Sequence, residues 1–131
     1  MRGENGLVAS EPIIGDWSAA SGHAAGQRLL AEGPFTSAFC GNDLMALGLI
    51  HALTEAHLSV PGQVSVVGFD DIPEAPHFSP PLTTMHQDFA QLGRDAMEVM
   101  LAVLGDEQAP NPLLRVPQLV VRASTAPPAR P

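Results

Sequence analysis

Two adjacent carboxylates, Asp70 and Asp71, stand where an apolar run of Val64, Val66, Val67, Gly68 and Phe69 ends. Such a pair can share one proton and do general acid/base work. Neighbouring side chains on a strand point to opposite faces, however, so the two are not expected to converge on a substrate. One carboxylate can instead accept hydrogen bonds from two hydroxyls of a sugar, or simply remain a solvated acid in a capped loop. Trp17, the only tryptophan, follows Gly15 and Asp16 at a second expected strand end. Its ring can stack on the C–H face of a sugar, or pack as a buried structural residue. Asn42 offers an amide that both donates and accepts, toward a ligand or toward the first turn of its own helix. The five histidines, at 23, 51, 57, 77 and 86, are read as showing no i, i+4 pairing and no cysteine or carboxylate at metal-ligand spacing. No metal, cofactor or catalytic residue is therefore expected. Ser21 and Ser37 lack the G-x-S-x-G elbow of a hydrolase, and no G-x-G-x-x-G cradle for phosphate is present.

Alternating strands and helices must carry these groups. Val64, Val66 and Val67 are β-branched and read as a central strand, apolar on both faces, in a parallel sheet covered by helices. The C-terminal edge of such a sheet is where ligands bind. Residues 12–14 are a short strand candidate, after which Ser18 caps a helix that runs through Leu29 and Leu30 to Gly33, with Pro34 preventing its continuation. Residues 36–40 form the next strand and end in Cys40, read as a packed strand-end thiol. Asn42 or Asp43 caps a helix whose Ala46, Leu49, Ile50 and Leu53 recur at three and four residues and face the core. Leu47 lies off that stripe and suits a partner surface. His57 stands where a glycine would end the helix, at the risk of strain. Ser79, Pro80 and Pro81 force extended backbone and lead the chain off the sheet. Asp88 caps a third helix, with Gln91 placed to reach back as in a capping box. Phe89, Leu92, Ala96, Val99, Met100 and Val103 make its apolar face, and Gly105 ends it. Residues 106–112 read as a loop and 119–121 as a last strand. The fold class is α/β, a parallel sheet flanked by helices with right-handed crossovers.

Composition removes several classes of function. A length of 131 residues gives one domain with one core, and 45% hydrophobic with 15% charged residues argues for a globular chain. The longest apolar run, LMALGLI at 44–50, is far short of the ~20 residues that span a bilayer. The start, MRGENG, has no apolar core of a secretory signal, so a cytoplasmic protein is expected. A single cysteine forbids an internal disulfide. With a net charge of −8 and six basic residues, all arginine and scattered, the chain offers no phosphate-binding patch for DNA.

Four spaced motifs carry a family resemblance: GND at 41–43, VPGQVSVVGFDD at 60–71, PPLTTMHQDF at 80–89 and LVVRAST at 119–125. In this order they resemble the effector-binding domain of the LacI/GalR family of bacterial transcription regulators, over roughly residues 15–125. The resemblance implies the C-terminal lobe of a periplasmic-binding-protein-like type I fold, with the N-terminal lobe missing. Residues 1–14 would be a partial start of the lobe, 83–88 a crossing between lobes, 89–104 a helix that normally packs on the other lobe, and 126–131 a disordered tail. Effector contacts are implied for Trp17, Asn42, Asp70 and Phe89, the last closing the pocket floor as well as opening the third helix. The implied dimer interface is Leu47 with the rest of the 43–55 helix, and Pro76, His77 and Phe78. The implied partners are a small-molecule effector, a sugar; a second copy in a homodimer; and DNA only through a helix-turn-helix absent from this chain, with no membrane. His57 departs from the family, which usually has glycine there. Two readings from other classes stay open: a periplasmic-type sugar-binding protein, against which the missing signal and LVVRAST count, and a phospho-receiver or enzyme using Asp70.

Overall fold

The computed structural model describes residues 10–105 and 116–127. The expectations for 1–9, for the loop beginning at 106 and for the tail from 128 lie outside them. Ser18 is extended and its Oγ accepts from the Ser21 amide, which starts α1, Ala19–Glu32; Gly33, at φ 137, closes it, its amide donating a hydrogen bond to the Leu29 carbonyl. β1, Ser37–Phe39, leads to α2, Asp43–Glu55, whose cap is Asn42, the Oδ1 accepting from the Met45 amide at 2.8 Å. β2 is Ser65–Val67, and a single turn of 3-10 helix follows at Ala75–His77. β3 is Thr84–His86; α3, Phe89–Leu104, is capped by Asp88 Oδ1 on the Gln91 amide; β4 is Gln118–Val120.

β1 and β2 pair in parallel with Ala38 opposite Val66. The other edge of β2 is occupied as well: the Gly68 amide donates to the Thr83 carbonyl and the Val66 amide to the Ser124 carbonyl. β2 is thus the middle of the sheet, as its valines predict. Val64 and Val66 are buried whereas Ser65 and Val67 are only half-buried, so one face is fully packed and the other partly covered. β3 and β4 form a separate antiparallel ribbon, Met85 opposite Leu119. The expected strand at 12–14 is not formed. A three-residue segment holds strand geometry only through ladder hydrogen bonds, and among the described residues none supplies them.

The core is α2 against β2. Leu49, Ile50 and Leu53 meet Val64, Val66, Ala75 and Leu82, each buried, and Leu29, Leu30 and Phe35 pack around them. Full burial of each large side chain contributes about 1.5–3 kcal/mol. α1 lies on α2 backbone to backbone. A Cβ at Gly48 would overlap the Ala19 carbonyl oxygen, and one at Gly22 the Met45 backbone, so only glycine permits this approach.

α3 differs from the other helices. Its apolar residues keep helical spacing, yet none of its residues is buried, and Phe89, Leu92, Met100, Leu101 and Val103 are each more than half exposed. It does not fold back on the sheet. The capping box is also half made: the Gln91 side chain turns away from the cap and bonds Asp95 and Arg94 instead.

Candidate functional site

Because β1 and β2 run parallel, residues 40–42 and 68–71 leave the sheet at the same, C-terminal edge. Asn42 uses its oxygen to cap α2 and its nitrogen to donate to the Trp17 carbonyl at 2.9 Å, tying the loop before α1 to the start of α2. Trp17 has φ 71 and a side chain 66% exposed. Its ring stands beside Gly41, where a Cβ would come 3.6 Å from Cζ3. Trp17 is therefore an exposed aromatic face at the strand edge, and the structural alternative of a buried ring is not what is found. Asp16 holds the turn below it: Oδ1 accepts from the Ser18 amide and hydroxyl, and those bonds keep its carboxyl below the usual carboxylate range.

Asp70 and Asp71 both have positive φ, 109 and 57. Strain of this kind, about 1–3 kcal/mol per residue, persists where the surrounding bonds enforce it and gathers at binding sites. The two carboxylates take different partners, although at these φ values neither residue has strand geometry. Asp70 Oδ1 accepts from Gln87 Nε2 at 3.3 Å. Asp71 accepts from Arg122 Nη2 at 2.6 Å and meets His86 Nδ1 at 3.0 Å. No shared-proton dyad exists. Phe89 follows on the same segment, its amide donating to the Gln87 carbonyl and its side chain 53% exposed. Phe39 and Phe69 meet edge to face, ring centroids 6.3 Å apart, at the ends of β1 and β2.

Two pairs therefore form, Trp17 with Asn42 and Asp70 with the Gln87–Phe89 segment, and the residue that joins them is one the sequence offers only as an alternative cap for α2. Asp43 is fully buried in the first turn of α2. Its Oδ1 accepts from Thr84 Oγ1 at 2.6 Å and its Oδ2 from the Ile72 amide at 2.9 Å. A Cβ at Gly68 would overlap that same Oδ1, so the strand end must be glycine for the carboxylate to fit. The only sequence signal was the ambiguity over which residue caps α2. Behind it Cys40 is packed against the core; burial pushes its thiol up to about 12, and the charge of Asp43 adds to the effect.

Of the expected dimer residues, Leu47 and its neighbour Leu44 are exposed on α2, Pro76 and His77 are exposed, and Phe78 is half-buried against the core. An open groove of about 420 Å³ lies between Thr54, Leu58 and Pro80. It is at the far end of α2, about 20 Å from Asn42 by helix length, and takes no part in this site.

A family model described as a periplasmic binding protein-like domain matches residues 3–125. The lactose operon repressor of Klebsiella pneumoniae is 41% identical over 122 residues, 92% of this chain and 34% of that protein. The chain belongs to the periplasmic-binding-protein-like domain family of LacI-type repressors. A PurR-type repressor of Photobacterium profundum is 40% identical over 86% of this chain and 34% of its own length. Among solved structures, the lac repressor dimer bound to operator and an anti-inducer superposes with a TM-score of 0.77 at 42% identity, covering 85% of this chain and 39% of that one. A sugar-binding LacI-family regulator from Escherichia coli, complexed with phosphate, gives 0.81 at 33% identity, covering 95% and 46%. The chain spans about a third of the length of the curated relatives it matches. These relatives are transcriptional repressors rather than enzymes. Among the described residues no helix of this LacI-type domain is long and apolar enough to cross a membrane.

Proposed function

We propose that this chain is part of the effector-sensing domain of a cytoplasmic LacI-type regulator and binds a small sugar at the C-terminal edge of β1 and β2. The observation that carries the reading is the strained pair of edges: an exposed indole at Trp17 and a carboxylate at Asp70, both at positive φ, flanking strand ends that stand side by side. An aromatic face and a carboxylate are the two groups a pyranose recognises, through its C–H face and a pair of hydroxyls. Asn42 positions the Trp17 loop, and Phe89 bounds the site from the crossing segment. Asp43 supplies the coupling, since its bond to Thr84 joins the site's floor to the crossing strand on which a lobe rotation would act. Homodimerisation through Leu44, Leu47, Pro76 and His77 completes the reading, and DNA would be reached only by a separate DNA-binding domain.

The test is an NMR titration of the 131-residue polypeptide with a panel of galactosides, glucosides and other small sugars at millimolar concentration. Shifts confined to the Trp17 indole, Asn42 and residues 68–71, and abolished by Asp70→Ala, are expected. Shifts that Asp70→Ala and Trp17→Ala both leave intact would sink the assignment.

A further inference from the structure

Away from the strand edge, the backbone contact of α1 with α2 brings together three side chains that the sequence reading kept apart. His23 comes from α1; His51 and Glu55 stand one turn apart on α2. His23 Nε2 is 2.6 Å from Glu55 Oε2, and His51 Nε2 is 3.6 Å from Glu55 Oε1. The two imidazoles face each other with centroids 5.0 Å apart. One ligand atom from each of the three lies within 4.8 Å of the others. Contrary to the sequence expectation, a carboxylate does stand at metal-ligand spacing from a histidine: His51 and Glu55 have the i, i+4 spacing that places both groups on one face of a helix.

We propose that His23, His51 and Glu55 form a binding site for a divalent transition-metal ion of the Zn²⁺ class. Two imidazole nitrogens and one carboxylate oxygen suit a borderline cation, with the remaining position open to solvent. In a tetrahedral site with bonds of about 2.0–2.1 Å, ligand atoms stand roughly 3.3 Å apart. The observed separations bracket that value, so small rotations of exposed side chains are sufficient. The scaffold beneath them is rigid, because Gly48 lies against the His23 backbone amide and lets the helices touch. A chain of net charge −8 adds a general attraction for cations. The site rests on side chains that the sugar-binding reading does not use.

Chelator-dialysed protein titrated calorimetrically with ZnCl₂ should give a one-site isotherm. His51→Ala and Glu55→Gln, both at exposed positions, should each weaken it by about tenfold or more while leaving the circular dichroism unchanged. His57→Ala and His77→Ala should not alter it. With substoichiometric Ni²⁺, the imidazole resonances of His23 and His51 should broaden before those of His57, His77 and His86. The proposal is overturned by an isotherm that His51→Ala and Glu55→Gln leave unchanged, by the absence of binding heat, or by equal broadening of all histidines.

Discussion

Asp43 shows how much one side chain can hold. It is buried at the positive end of α2 and receives hydrogen bonds from β3 and from the loop after β2. Asp43→Ala would leave the Thr84 hydroxyl and the Ile72 amide without their acceptor, and we predict a loss of about 3 kcal/mol in urea denaturation, with a smaller loss for Asp43→Asn, which keeps one acceptor. His57 is the opposite case. It closes α2 at φ 59, with its amide on the Thr54 carbonyl, in the position the LacI resemblance gives to glycine. His57→Gly should raise stability by about 0.5–1 kcal/mol, the relieved strain exceeding the added chain entropy. Cys40 makes a pH prediction. Burial pushes its thiol from the ordinary 9.0 up to about 12, so the folded state keeps a proton that the unfolded chain has lost between those values. Its contribution is whole below pH 9 and is lost as pH rises toward 12. The melting temperature should fall over that alkaline window, less steeply in Cys40→Ala, and iodoacetamide should label the native thiol only slowly. At this scale the sequence was informative about caps, since Ser18, Asn42 and Asp88 act within one turn of themselves. It offered Asp43 only as an alternative cap and gave no sign of its partners, which lie 29 and 41 residues away.

Among the elements, α2 and α3 have the same kind of apolar periodicity and opposite fates. The spacing of Leu49, Ile50 and Leu53 announced a helix with a core face, and β2 meets it. The spacing of Leu92, Met100 and Val103 announced the same, and nothing described covers it. Periodicity records that a face exists; what covers it depends on chain far away. The two helices should therefore respond differently to substitution. Leu53→Ala should cost about 3 kcal/mol, whereas Leu101→Gln should stay within about 0.5 kcal/mol in the isolated polypeptide. Amide exchange in α3 should accordingly be faster than in α2. The same logic separates strands. β2 was legible from its valines, but the candidate at residues 12–14 was not sustained, because apolar residues alone do not supply a ladder.

The whole molecule carries two signals that pull in different directions. Its net charge of −8 opposes contact with phosphates, so the purified polypeptide should not retard duplex DNA at any salt concentration. The exposed apolar surfaces of α3 and of Leu44 and Leu47 favour contact with other protein. Sedimentation equilibrium at micromolar concentration should show self-association, and charged replacements at Leu92 and Met100 should weaken it; a stable 13.7 kDa monomer with full thermal cooperativity would contradict this. Family and fold were readable from spaced motifs, since those motifs hold the cap of α2, the strand β2 with the turn after it, and the segments that pair with β2. The α1–α2 cluster was not, because helix contacts set by Gly22 and Gly48 leave no periodic trace. The middle of the sheet has a temporal consequence as well. Ser124 is buried between Val66 and Thr83, its hydroxyl donating to the Val66 carbonyl across 58 residues of chain. During synthesis β2 emerges before Ser124, and the Val66 amide and carbonyl lack that partner until the serine clears the ribosomal exit tunnel. The nascent chain must therefore be sheltered, by speed or by a chaperone, for as long as its central strand awaits its last neighbour.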